Sequence, residues 1–383
     1  MKKLFIFIIV ALLFFMPTAF ASDTTDLESA VDEQLGVLDS KDFDNFLGSI
    51  DDEYVGDKLK NYVEKIIDGE NVFDIVDFAN ILFNTLFDEL LGVIPTCVSI
   101  ILICVLSSTL SRFSSKFAQN STQKIIRFVT VCIVLVILLS ATLSYSKEVI
   151  STINSLKSLA NVVFPILVTL LTVIGGGRTV GVFSPFVAIL TTIILNGVEI
   201  VIIPLFFATV ALSVVGNITD SVKLDRLRGF FTSTGKWILG LVFGLFTTFL
   251  TGQAFVSSTI DGVSIKATKF ALSSYVPILG GYLSEGFDFV MAGSVLIKDA
   301  VGMTSIIVLG VIILLPVVKL VIFSLALKLT SGIVESFGES SISKTIGGIS
   351  SSINILIAVL LGVGFIFFFV ILLVIFTVNV GVV

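Results

Sequence analysis

The sequence predicts an all-α membrane protein, a polytopic helical bundle preceded by a small exported helical region. Two properties carry most of this prediction: the chain is 55% hydrophobic, and its mean hydropathy is +1.10. Only 14% of its residues are charged, against about 25% in soluble domains. Because a water-facing surface needs charge and a lipid-facing surface avoids it, the composition argues against a soluble fold.

The first 21 residues have the features of a signal peptide. Lys2 and Lys3 form a basic end, residues 4–16 are apolar, and Ala19-Phe20-Ala21 matches a small-x-small cleavage site. We therefore predict cleavage after Ala21. An uncleaved anchor is the alternative, and with either outcome the chain from residue 22 onward is delivered outside the cytoplasm.

Residues 22–89 form an acidic region with 19 Asp and Glu and four Lys, a net charge of −15. Residues 90–383 carry a net charge of +7. Apolar residues keep helical spacing through 22–70, which predicts three short amphipathic helices. Residues 71–89 carry one narrow polar stripe, typical either of a helix in the membrane interface or of one packed on the bundle. We therefore predict an extracytoplasmic helical region.

The remaining chain is predicted to hold two membrane spans in 90–158, a first membrane repeat in 159–271 and a second in 272–383. Clear apolar spans are 90–111, 128–146, 159–174, 200–216, 237–256, 306–327 and 353–377. Gly, Pro or charge interrupts two further candidates, 180–198 and 272–297. The positive-inside rule places the loop after the first span, which contains Arg112 and Arg127, in the cytoplasm. The signal peptide gives the same orientation.

Two proline pairs predict an internal repeat. Pro165 and Pro277 lie in similar apolar sequences, as do Pro204 and Pro316, and each pair is offset by 112 residues. Each copy would hold four hydrophobic segments, and an even number makes the copies parallel in the membrane. Transporters often contain such repeats. The alternative is coincidence, because Pro-Ile-Leu arises easily in an apolar chain.

Residue usage argues against an enzyme. The chain has no histidine, which removes the commonest general base and metal ligand. Cys97, Cys104 and Cys132 have neither zinc-site nor CxxC spacing, and we expect them to be buried small hydrophobes. The run 175–178, GGGR, lacks the end of a phosphate loop and is expected to form a turn. We predict no catalytic, metal or cofactor site, and no nucleic-acid binding.

Four charged residues lie within apolar sequence and are candidate functional positions: Glu199, Glu285, Asp288 and Lys319. Charges in a hydrocarbon core are costly and usually line a passage, relay protons or contact a partner. For Glu199 we favour a place in an outer turn. The glycines around Glu285 and Asp288 favour a broken or re-entrant backbone. For Lys319 we favour snorkelling toward the cytoplasmic side.

Residues 274–302 read SYVPILGGYLSEGFDFVMAGSVLIKDAVG, and 276–283 and 292–302 are their most specific parts. With the signal peptide, the acidic region and the span layout, the chain resembles the stage III sporulation protein AE family over nearly its full length. The resemblance implies a membrane protein of endospore formers that acts after engulfment in a channel between mother cell and forespore. Implied partners are a cytoplasmic ATPase, ring-forming proteins and a forespore protein. It implies no site residues.

Two functions follow as expectations. The first is a non-enzymatic, multi-pass subunit of this sporulation channel in the mother-cell membrane around the forespore, where it supports late forespore development. Residues 22–89 would lie outside the cytoplasm, and a homo-oligomer is compatible with this function. The alternative is a self-contained permease or secondary transporter of a small solute, which would depend on charges within the membrane.

Overall fold

The computed structural model describes residues 75–117, 120–174, 191–218, 226–248 and 280–376, together with residues 180, 181, 184, 185, 187 and 224. The predicted signal peptide, its cleavage site and residues 22–74 of the acidic region lie outside this part. The described chain is helical almost throughout, and six of its helices are long and apolar enough to cross a membrane. The predicted polytopic helical fold is confirmed.

Within the described residues, six α-helices form the bundle. In chain order they are α1 (Ile75–Phe117), α2 (Asn120–Val173), α3 (Ile203–Ile218), α4 (Arg226–Thr248), α5 (Gly280–Ser336) and α6 (Ser340–Phe376). Two π-helical segments, Thr191–Leu195 and Val198–Ile202, precede α3. Each helix contains a long apolar run, and burial against neighbouring helices stabilises what propensity alone would not.

Helices α1 and α2 pack antiparallel, as two side-chain contacts show. The Gln123 amide donates to the Ser111 carbonyl near one end of the pair, and the Tyr145 hydroxyl donates to Glu89 near the other. Helix α1 joins the predicted span 90–111 to residues 75–89, so the described part of the helix predicted for 71–89, in the interface or packed on the bundle, is continuous with the first span.

Helix α2 contains two segments that the sequence analysis separated, 128–146 and 159–174. Their separation into two spans is wrong, because a continuous helix runs from Asn120 to Val173. Residues 147–158 contain no Gly or Pro that would end a helix, and Val149, Ile153 and Leu156 are buried in the core. Packing therefore favours continuation over a turn.

Helix α5 also lacks a predicted interruption. It runs from Gly280 through 306–327 to Ser336, so the glycines near Glu285 do not break it. The broken or re-entrant backbone expected for 272–297 is absent from its described portion, 280–297. The repeat stays a prediction: Pro277 lies outside the described residues, Pro204 is the second residue of α3, and Pro316 lies within α5.

Helices α5 and α6 form an antiparallel hairpin at the centre of the bundle, with α1 and α2 against α5 and α3 against α6. The hydroxyl of Ser350 donates to the Ser324 carbonyl at 2.8 Å, and that of Ser331 donates to the Ser343 carbonyl at 2.8 Å. Small residues let membrane helices approach closely, and interhelical hydroxyl bonds add to the association. The hairpin is the scaffold on which the other helices pack.

Candidate functional site

Three of the side-chain contacts between helices involve six residues of α1, α2, α5 and the π-helical segment before α3, which we call the polar band. These are Glu89, Tyr145, Glu148, Lys157, Glu199 and Lys319. Lys319 Nζ lies 2.8 Å from Glu148 Oε1, so α5 and α2 are joined by an ion pair. One turn away, the Tyr145 ring stacks on Phe323 at 4.0 Å between centroids, and its hydroxyl donates to Glu89.

A second ion pair in the polar band joins Lys157 to Glu199 at 2.5 Å. Glu199 lies in the π-helical segment Val198–Ile202, which continues directly into α3. The outer turn that we favoured for Glu199 is therefore wrong. Its carboxylate instead connects the start of this helix to α2. These pairs are partly exposed, so each contributes about 1 kcal/mol or less to stability.

Lys319 does not extend alone toward the cytoplasmic side, as we had favoured. It pairs with Glu148 of α2, a residue that the sequence analysis did not single out. Of the other two predicted residues, Glu285 and Asp288, the structure describes only the backbone, which is helical in α5. Of the four candidates, the structure thus places Glu199 and Lys319 in the polar band.

The turn between α5 and α6 is fixed by a buried carboxylate. Glu339 is 4% exposed and precedes α6, where its carbonyl accepts the N–H of Ser343. The Ser107 hydroxyl donates to its carboxylate at 3.4 Å, and Arg127 Nε lies 3.6 Å from it. Gly338 has a φ of 91°, which suits the tight turn. The Glu339 contacts tie this turn to both α1 and α2.

A buried lysine joins the other end of the hairpin. The Lys298 side chain is fully buried, and its ammonium donates to the Ile375 carbonyl at 2.8 Å in the last turn of α6. A cation is favourable there because the final carbonyls of a helix lack intrahelical donors and carry partial negative charge. Gly302, one turn along α5, packs so closely on the Ile375 side chain that a Cβ would collide with it.

Three helices meet at Gly348 of α6. A Cβ at this position would lie 2.9 Å from Ser213 Cβ of α3 and 2.5 Å from Arg228 Nη1 of α4. Only a residue without a side chain permits this approach. Together with Gly302, Gly348 shows that the small residues of the hairpin set the distances between helices.

The polar side chains of the described residues hold helices together. Among the described residues, no group of three or more Cys, Asp or Glu is placed to bind a metal ion. Cys97, Cys104 and Cys132 are free thiols; Cys104 is buried as expected, whereas Cys132 is exposed on α2. The expectation that all three are buried is therefore wrong for Cys132, which lies on the outward face of α2.

Replacing Lys298 with methionine tests the junction between α5 and α6. Methionine retains most of the volume but leaves the buried Ile375 carbonyl without its donor, a loss of about 1–3 kcal/mol. We expect Lys298→Met to lower the free energy of unfolding of the full-length protein, measured by SDS denaturation in mixed micelles. Lys328→Met, at an exposed position of the same helix, should leave it unchanged. Equal stability of both variants would mean that the cost of burying the ammonium outweighs its hydrogen bond.

The helices and their paired polar residues define the class: an integral membrane protein of the polytopic α-helical type. The sequence pattern of the family described as Stage III sporulation protein AE matches residues 58–378, which include all six helices. The chain belongs to this family. A relative from Bacillus subtilis (strain 168), Stage III sporulation protein AE, is 23% identical over 347 residues, covering 89% of this chain and 86% of the relative. No solved structure matches the chain.

Proposed function

We propose that this chain is a non-enzymatic membrane subunit of a channel complex that links mother cell and forespore after engulfment and supports late forespore development. Membership of a sporulation family over residues 58–378 is the observation that carries the proposal. The protein would reside in the mother-cell membrane around the forespore, with residues 22–89 outside the cytoplasm. Its partners would be a cytoplasmic ATPase, ring-forming subunits and a forespore protein.

The contacts that three lysines make between helices support a scaffold role for this chain within such a complex. Lys319, Lys157 and Lys298 each contact an acceptor on another helix. These contacts cross-link the bundle, which suits a subunit that must keep its shape while others bind to it. The net charge of −15 on residues 22–89 would attract basic partner segments outside the cytoplasm.

An affinity-tagged full-length chain in its native spore former tests this proposal. The chain should restore heat-resistant spores to a strain from which its gene has been deleted. After crosslinking in sporulating cells, it should co-purify with the other stage III membrane proteins. A charge-reversed acidic region, with eight of its Asp and Glu replaced by Lys, should insert in the membrane but lose these partners and the spores. Full spore formation without any co-purifying partner would contradict the proposal.

The ion pairs of the polar band favour one alternative, a self-contained permease for a small solute. In that case the purified chain in proteoliposomes should move a solute by itself. Flux should fall when Glu148 and Glu199 are changed to Gln, while Glu335→Gln, at an exposed position near the α5–α6 turn, should leave it unchanged. Such flux, seen together with normal spore formation in the absence of partners, would establish the permease in place of the channel subunit.

A further inference from the structure

The outer face of α2 is polar in the second half of the helix. Between residues 144 and 161, its exposed residues are Ser144, Lys147, Ser151, Asn154, Ser158 and Asn161, which we call the hydrophilic stripe. Between residues 125 and 143, the same face exposes mainly large apolar side chains, among them Val129, Val136 and Leu143. The chemistry of this face therefore changes although the helix continues without a break.

The composition of the hydrophilic stripe suits neither lipid nor bulk water. Asparagine and serine side chains in hydrocarbon would lack hydrogen-bond partners, which is unfavourable. A water-exposed protein surface typically has about 25–35% charged residues. This chain uses charge in the region predicted to be exported, since residues 22–89 contain 19 Asp and Glu. From Ser151 to Thr172, by contrast, the exposed positions of α2 carry no charge at all.

Small uncharged polar side chains already join helices inside this protein. In the buried contact between α5 and α6, Ser331 donates to the Ser343 carbonyl and Ser350 donates to the Ser324 carbonyl. Such contacts are typical of helices that pack closely in membranes. The hydrophilic stripe has the same chemistry, yet none of the described residues covers it, since all six of its members are exposed. We therefore expect another chain to cover it.

The spacing of the hydrophilic stripe suits a second helix that runs beside α2. Its three serines recur every seven residues, and its lysine and two asparagines recur every seven residues as well. A repeat of seven keeps two helices in contact along their length when they cross at about 20°. The stripe extends over 17 residues, which is about 26 Å of helix. Its exposed serines are small enough to let the two backbones approach closely.

The side chains of the hydrophilic stripe can pair with a second copy of themselves. A serine hydroxyl and an asparagine amide each donate and accept hydrogen bonds, so Asn154 can bind the equivalent asparagine of another copy. Two copies inserted in one membrane share their orientation, so a two-fold axis along the membrane normal would make their α2 helices parallel. Lys147 lies in the first turn of the stripe, where its long side chain can extend away from the axis.

A backbone acceptor lies open at the end of the hydrophilic stripe. Pro165 is within α2 and has no N–H, so the carbonyl of Asn161, four residues earlier, lacks its usual intrahelical donor. The next exposed hydroxyls do not replace this donor, because Thr169 donates to the Pro165 carbonyl and Thr172 to that of Val168. An asparagine amide from a second copy would supply the missing hydrogen bond.

We infer that the hydrophilic stripe is the contact between two copies of this chain, whose α2 helices pack in parallel around a two-fold axis. The half-buried side chains of Ile150 and Val162 flank the stripe and would be covered by the same contact. The inference concerns the assembly of the chain with itself. It therefore holds whether the chain acts in a channel complex or as a permease.

Disulfide crosslinking of the full-length chain in membranes of its native spore former tests the inference. Cys97, Cys104 and Cys132 are first replaced by Ala, and a single cysteine is then introduced as Ser151→Cys or Ser158→Cys. A parallel two-fold contact places the introduced thiol opposite its equivalent in the second copy. Oxidation with copper phenanthroline then joins the two copies, and the product is detected on SDS gels with and without reductant.

Leu245→Cys on α4 is the matched control, because Leu245 is exposed and lies at a similar height on another side of α6. Phe243 of α4 stacks on Phe365, and Phe164 of α2 contacts Phe367, only two residues further along α6. Random collision between copies would crosslink the control as well as the stripe.

We expect both stripe variants to form a reducible dimer, at least several-fold more than the Leu245→Cys control. If either stripe position failed to exceed the control, the inference would be overturned. Labelling of the stripe by a membrane-impermeant maleimide would then show that it faces water, and a crosslink to a different protein would identify another occupant. Size-exclusion chromatography of each variant before oxidation shows that the protein is folded.

Discussion

Gly348→Ala is expected to lower the free energy of unfolding by about 1–3 kcal/mol, the usual cost of inserting a methyl group where there is no space. The new Cβ would lie 2.9 Å from Ser213 Cβ, which is held by the backbone of α3 and cannot rotate away. Helix α3 would have to separate from α6, and Arg228 of α4 would be displaced with it. SDS denaturation of the full-length protein measures the loss.

Gly332→Ala on α5 is the matched control, because nothing lies within 4 Å of a Cβ at that position. Both changes gain the helix propensity of alanine, worth up to about 1 kcal/mol. The control should therefore be as stable as the unmodified protein or slightly more stable. If Gly348→Ala behaved like this control, the close contact of α3, α4 and α6 would not limit the packing of the bundle.

Lys319→Glu is expected to have the largest electrostatic effect. It would place a third carboxylate beside Glu148, which pairs with Lys319 at 2.8 Å, and Glu89, which accepts a hydrogen bond from Tyr145. Because the pair is about one-third exposed, its loss alone should cost about 1 kcal/mol. The repulsion between like charges adds to this, so both melting temperature and spore formation should fall.

The double variant Lys319→Glu, Glu148→Lys exchanges the two charges and should recover much of the lost melting temperature. Lys328→Glu, at an exposed position of the same helix, controls for the change in net charge. A double variant as unstable as Lys319→Glu would show that the two side chains do not stabilise each other. The pair would then have no part in joining α5 to α2.

Composition was sufficient to predict the helical membrane fold, because residues that face lipid must be predominantly apolar. It did not predict where helices end. Residues 147–158 were left between two separate predicted spans, 128–146 and 159–174. The partners of Glu148 and Lys157 are Lys319 and Glu199, which lie 171 and 42 residues away. A single sequence contains no signal that joins positions so far apart.

Lys298 shows a different limit. It lies in 292–302, one of the segments that carries the family resemblance, and a lysine within apolar sequence was a visible signal. Its partner is the carbonyl of Ile375, a backbone atom that every residue possesses. The residue type at position 375 therefore gave no indication that its carbonyl would accept a hydrogen bond from Lys298. Glu339 was also overlooked, because a single acid beside a Gly-Glu-Ser turn reads as a solvated loop, whereas its 4% exposure makes it part of the interior.

The junction between Lys298 and Ile375 has a consequence for the order of assembly during synthesis. Lys298 is made 77 residues before its acceptor, Ile375. The α5–α6 hairpin can therefore close at this junction only after the last turn of α6 has been synthesised. Until then the Lys298 ammonium lacks the Ile375 carbonyl as its acceptor, and a chain terminated before residue 375 would never contain this carbonyl.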